Sequence, residues 1–435
     1  MLSKEARNEW KQHWRVVVGG GAGMTLLAVP TYTNGVMVIP LEKAFGWTRA
    51  EIASGPVIAA ILSVFMGPLI GILVDRFGPR RIGVAGALNM CLAVALLSQT
   101  NGSLWSWWAV WLLVALGAIF IKPMVWTSGV ASFFDKARGL AMAAALCGTA
   151  VCSTLTPLLA TSLYERFGWQ LTYVGLALFW GIVLLPLIFF MFDSRQDKVR
   201  RERLLTAKEA KAPLETAAAA DGPAEGRDIE KEHVAASQAP SPKELFFSLK
   251  YARLVLAALT MVFSTVSFVI LLVPILVEIE IEFSEAAAMA SLVGIMTVLG
   301  RLGGGMLLDR YNGNYVTAGA ILLPAASAVL ILILPGSIVA VLVAIILLGL
   351  ASGAEYDGVA YLITRHFGLK SFGLLFGTIG GLQAMGSGLG PMIVNHIYDT
   401  TNSYNLALYL FIPISIVGAI LFSTLGPYQD SEFEK

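Results

Sequence analysis

The stretch EAAAMASLVGIMTVLGRLGGGMLLDR, Glu285–Arg310, decides the reading of this chain. It is long and apolar enough to cross a bilayer. Yet Arg301 stands well inside it, about two turns before the closing Asp309-Arg310 pair. An arginine at the centre of a bilayer costs about 2.5–3.5 kcal/mol on insertion scales, so such residues face a protein interior or an aqueous cavity. A cation held in a cavity is a means of binding an anion.

The rest of the composition agrees with a membrane setting. Of 435 residues 57% are apolar and 14% charged, against about 25% charged in soluble domains. The 43 glycines suit closely packed membrane helices. Cys91, Cys147 and Cys152 all fall in apolar segments and lack metal-ligand spacing, so they read as small core residues. No cleaved signal peptide is expected at the charged N-terminus.

Twelve apolar segments are predicted as spans, at roughly 16–40, 52–74, 82–100, 105–132, 139–164, 170–192, 252–278, 285–308, 315–335, 338–364, 372–397 and 405–426. Residues 1–192 form an N-terminal six-helix half and residues 251–435 a C-terminal one. The charged, aromatic-poor linker 193–250 is expected to be a largely disordered cytoplasmic tether, with partner binding as the other reading.

Of the 30 Lys and Arg residues, Lys43, Arg49 and Arg166 lie in one set of loops and Lys122 and Arg301 inside spans; all others fall on the opposite side. The positive-inside rule places that basic side, with both termini, in the cytoplasm. The chain is therefore expected to be a multi-pass integral protein of a bacterial inner (plasma) membrane.

The halves echo each other. GILVDRFGPRR (71–81) follows the second span and GMLLDRYNGN (305–314) follows the eighth. This is the pattern of a transporter built from parallel repeats. Both loops resemble the signature loop of the major facilitator superfamily, whose pattern is G-x-L-a-D-r-x-G-r-K/R-x-K/R. The resemblance implies an all-α membrane protein with twelve transmembrane helices in two six-helix halves. It also implies gating roles for Asp75, Arg76, Arg80 and Arg81, with Asp309 and Arg310 as counterparts. In that family such charges clamp the cytoplasmic helix ends while the outside is open.

A second resemblance narrows the family. FFDKARGLAMAAALCGTA (133–150) is similar to the Y/F-F-x-K-R-R-x-L-A-x-G-x-A-x-A/S-G pattern of monocarboxylate transporters. Phe134, Lys136, Arg138, Leu140, Ala141 and Gly148 match; Ala137 and Ala143 depart. GRLGGGMLLDR also resembles the eighth helix of those transporters and of the oxalate–formate antiporter, where an arginine at the place of Arg301 binds the substrate carboxylate. The eukaryotic members carry an aspartate one turn before that arginine; Thr297 stands there in this chain. Where they have a lysine in the first helix, this chain offers Tyr32 and Asn34.

Four charges lie at lipid depth: Lys122, Arg301, Glu355 and Asp357. Lys122 precedes Pro123, with Trp126 one turn on. It reads either as a second cation at the substrate site beside Trp126, or as a lysine holding carbonyls that the proline frees. Glu355 and Asp357 stand about 200° apart on a helix, so one is expected to face the cavity and the other a neighbouring helix. They read as proton carriers or as structural partners of the cations. Tyr361, one turn after Asp357, could donate to it or to substrate.

The expected activity is secondary transport of a small organic monocarboxylate, coupled to a proton by alternating access. Arg301 would pair with the carboxylate, and Lys122, Tyr32, Asn34, Trp126 and Tyr361 would line the path. Anion exchange is the alternative, and efflux of apolar compounds a third reading. No H-E-x-x-H, G-x-S-x-G or P-loop occurs, so no enzyme activity is expected. The expected partners are a small organic anion, protons and the lipid bilayer. No nucleic acid, cofactor or metal is expected, and a monomer suffices.

Overall fold

The computed structural model describes residues 4–194, 197, 248–368 and 372–428; the side chains of 67–69, 71, 72, 75, 356 and 372–374 are outside that description. Among the described residues ten helical stretches are long and apolar enough to cross a membrane. One of them, Arg138–Met191, is two crossings. Gly168 leaves helical geometry at φ 78°, and Gly175 packs on Leu163, which a continuous helix would hold about 18 Å away. Phe372–Thr401 is a further 30-residue helix. The result is the predicted set of twelve crossings.

The first span, Lys4–Phe45, starts well before the predicted apolar stretch. Its polar beginning is helical because it docks. The Glu9 carboxylate accepts from the backbone N–H groups of Asp135, Lys136 and Ala137, and His13 stacks on Phe133. The second span, Arg49–Phe77, opens on a capping box between Thr48 and Glu51. The third, Pro79–Leu96, follows directly after Gly78 at φ 87°. The fourth is broken into Leu104–Phe120 and Pro123–Ala131 around Lys122.

In the C-terminal half the seventh span is Leu249–Ile270 with Leu272–Glu278, and the eighth is Phe283–Arg310. Gly313–Ile333, Ile338–Phe367, Phe372–Thr401 and Asn405–Ser423 complete it. Of the tether at 193–250, only Asp193, Ser194, Asp197 and 248–250 are described. Asp197 is buried on the first half, where its carboxylate accepts from the Arg80 N–H and the Ser194 hydroxyl.

The halves touch at glycines. Gly35 lies against the Ile270 carbonyl, and Gly294 against Ala150, Ser153 and Thr154. A Cβ on Gly388 would stand 2.6 Å from the Ala60 Cβ. All three contacts lie in the membrane half remote from the chain termini. On the same helix faces, but nearer the termini, Gly377, Gly381, Gly305 and Gly139 have no atom of the described residues within 4 Å of where a Cβ would stand. Spans 2 and 11, and spans 5 and 8, therefore pack closely in the far half of the membrane.

Gly294→Val should overpack the closed seam and destabilise the fold by about 1–3 kcal/mol. The expected reading is a lower melting temperature in detergent with unchanged circular dichroism. Unchanged melting would show that the contact is absent in solution.

Candidate substrate site

Arg301 is only 7% exposed. Small residues let the tenth span come close beside it. Gly300 abuts the Leu350 carbonyl, Gly304 faces Ala354, and Gly353 sits on the backbone of Thr297 and Arg301. That approach brings Asp357 to the guanidinium, with Nε 3.4 Å from Oδ2. The pair is close enough for charge compensation, yet Arg301 Nε and Nη1 have no hydrogen-bond acceptor among the described residues. A buried guanidinium thus keeps donors for a ligand.

Thr297 gives its hydroxyl to its own Val293 carbonyl. The acid beside Arg301 therefore comes from the tenth span. Glu355, 2% exposed, also stands within electrostatic range of Arg301, and its Oε1 has no hydrogen-bond partner among the described residues. Of the two acids it is Asp357 that forms the ion pair with Arg301.

One residue of the N-terminal half reaches the same region. Tyr32 reaches Ser153 of the fifth span and lies within range of Arg301 and Glu355. With Ser153, Ile270, Val273 and Ala290 it lines a closed cavity of about 20 Å³, about the space of one water. Asn34 is buried, and its Oδ1 has no hydrogen-bond partner among the described residues.

Lys122 is half-buried and donates from Nζ to the Ser63 carbonyl of the second span, at 2.9 Å. It holds a carbonyl of a neighbouring helix, and the carbonyl freed by the break goes to another residue. Trp126 donates its indole N–H to Ile121. Trp126 is 0% exposed, with its ring over Gly23 and Gly83 and against Phe192. This corrects its expected place on the path: helical spacing put it beside Lys122, but tight glycines draw the ring into the core. Tyr361 is also placed differently. Its ring packs on Gly313 at the start of the ninth span, beside Tyr428, and not on Asp357.

The expected gating charges lie at helix ends on the side of the termini. The Asp75 side chain is outside the described residues. Arg80 donates to the Phe189 carbonyl of its own half. Arg76, Arg81, Asp309 and Arg310 are exposed. Asp197, on the sequence side a mere tether residue, caps the third span at this place. Its counterpart in the other half is Tyr428, which accepts from the Gly313 N–H through its hydroxyl.

A family model described as Major Facilitator Superfamily matches residues 18–391 and 254–434. A human protein named Monocarboxylate transporter 7 is 24% identical over 315 residues, 64% of this chain and 59% of its own length. The rat Monocarboxylate transporter 3 is 34% identical over 146 residues, 33% of this chain and 29% of its own length. The Fujikurins efflux protein of Gibberella fujikuroi is 25% identical over 130 residues, 29% of this chain and 27% of its own length. The chain spans less than two thirds of the length of each.

Trp126→Phe removes one buried hydrogen bond and leaves the Ile121 carbonyl without its donor, at a cost of about 1–3 kcal/mol. A lower melting temperature with unchanged ligand affinity is the expected result. Weakened ligand affinity at full stability would return Trp126 to the site.

Proposed function

Since the chain belongs to the Major Facilitator Superfamily, we propose that it is a secondary transporter of a small organic monocarboxylate, moved together with a proton. The observation that carries this reading is the buried Arg301 guanidinium, compensated at one edge by Asp357 and with donors still open. The names of the human and rat relatives support it. The side of the termini is the cytoplasm, by the distribution of basic residues, so the tight glycine seams lie in the outer half of the membrane.

The chemistry follows from competition for one cation. While Asp357 is ionised it holds Arg301. A proton on Asp357 removes that competitor, and the substrate carboxylate takes the guanidinium by two parallel N–H donors. Proton and anion enter together, so the charge of the site is unchanged. Glu355 provides a second protonatable oxygen next to the same cation. Tyr32 and Asn34 contact the substrate from the other half, and Lys122 adds positive potential from the fourth span. Rocking of the halves about this site carries the cargo across. The signature charges Asp75, Arg76, Arg80, Arg81, Asp309 and Arg310 engage when the inner side closes.

A second reading, efflux of larger apolar compounds, draws on the fungal relative and on an apolar groove of about 380 Å³ between Val151, Leu155, Ile295 and Leu299. It predicts transport that survives loss of Arg301.

Uptake of labelled monocarboxylates into proteoliposomes separates these readings. Wild-type uptake should rise as external pH falls, and Arg301→Ala should lower it about thirtyfold or more, the loss of a buried charge pair worth about 2–5 kcal/mol. Asp357→Asn or Glu355→Gln should remove the pH dependence. Uptake only with carboxylate preloaded inside would establish exchange. Full uptake by Arg301→Ala would overturn the anion site.

A further inference from the structure

The far side of the molecule carries a polar junction between the halves. Arg49 and Ala50 open the second span, and the first N–H groups of a helix have no partner within it. Here they find one in the other half. The Arg49 N–H donates to Asp399 Oδ1 at 3.0 Å and the Ala50 N–H to Oδ2 at 2.8 Å. Asp399 stands near the end of the eleventh span. One carboxylate thus caps a helix belonging to the opposite half.

The Arg49 side chain makes a second, separate link. Its guanidinium lies 3.6 Å above the Tyr398 ring and donates to the Tyr404 hydroxyl at 3.0 Å. Glu42 of its own half accepts from Nε. Tyr404 in turn donates to Asn395, and its N–H is held by Glu278 at the end of the seventh span. Arg49 is almost fully buried in this arrangement. It is one of only three basic residues in the far-side loops.

We infer that Asp399, Tyr398 and Arg49 form the far-side latch of the transport cycle, the contact that must break before the closed cavity behind Tyr32 can face outward. Spans 2 and 11 belong to different halves, and their far ends can separate only if this junction opens. Its chemistry suits repeated opening, because every group in it is polar, sits at the membrane edge, and can transfer its hydrogen bonds to water. A purely apolar seam would expose hydrocarbon surface instead. The rival view is a static strut that stabilises the fold and takes no part in motion.

Site-directed labelling tests the latch without any substrate, so it is independent of the carboxylate reading. Val273→Cys places a thiol in the closed cavity, in a chain also carrying Cys91→Ser, Cys147→Ser and Cys152→Ser. A membrane-impermeant maleimide is added on the far side. Asp399→Ala and Tyr398→Leu should each raise the labelling rate about tenfold, the size of a typical conformational coupling. A thiol at Met90, in the core of the N-terminal half, should stay unlabelled in both. Unchanged labelling at Val273 in either folded variant would overturn the latch. Labelling at Met90 as well would mean general loosening, and the strut would stand in its place. Should Asp399→Ala fail to fold, Tyr398→Leu decides, since it leaves the helix cap in place.

Discussion

A guanidinium within a bilayer must meet an anion or water. Removing a charge from water costs several kcal/mol even after the protein relaxes, and a partner repays this only with good geometry. Arg301 imposes that constraint here, and much of the C-terminal half is arranged to meet it. Gly300 and Gly304 on one helix, and Gly353 on the other, let backbones approach until Asp357 comes within 3.4 Å. The compensation is partial. Among the described residues, guanidinium donors stay open and the nearby buried Glu355 keeps a carboxyl oxygen without a partner. A purely structural ion pair would be expected to fill these positions. A site that must alternately hold an internal acid and an external one has reason to leave them open.

The same logic of partial commitment extends to the seams between the halves. Glycine contacts at Gly35, Gly294 and Gly388 close the far side tightly. Closely packed small residues slide with little loss, and the polar junction around Asp399 adds an interaction that water can replace. Of the signature charges at the opposite membrane face, Arg80 is bound within its own half and Arg76, Arg81, Asp309 and Arg310 are exposed.

Much of this was legible in the sequence. Span number, the two halves and the importance of Arg301 follow from apolar length, charge placement and one arginine out of place. What was missed has a common physical origin. Helical spacing tells which residues share a face, but not which neighbour that face meets. Trp126 and Tyr361 each sit one turn from a charge, yet glycines at 23, 83 and 313 draw their rings elsewhere. For Glu355 and Asp357, angular separation along a helix could not tell which of the two would pair with Arg301; the close approach of the tenth span brings Asp357 to it. The junction of Arg49 with Asp399 joins residues 350 positions apart. No local motif announces such a pair. Its one trace was a basic residue on the side where few occur. Asp197, within a segment of tether-like composition, gave no sign of its capping role.

The proposed transport turns on Arg301 taking a carboxylate as its internal partner takes a proton. Calorimetric titration of the purified protein with a short monocarboxylate, repeated in buffers of different ionisation enthalpy, reads that exchange directly. About one proton should be taken up for each carboxylate bound, and the uptake should vanish in Asp357→Asn while binding persists. Carboxylate binding with no proton uptake in the wild type would contradict the account.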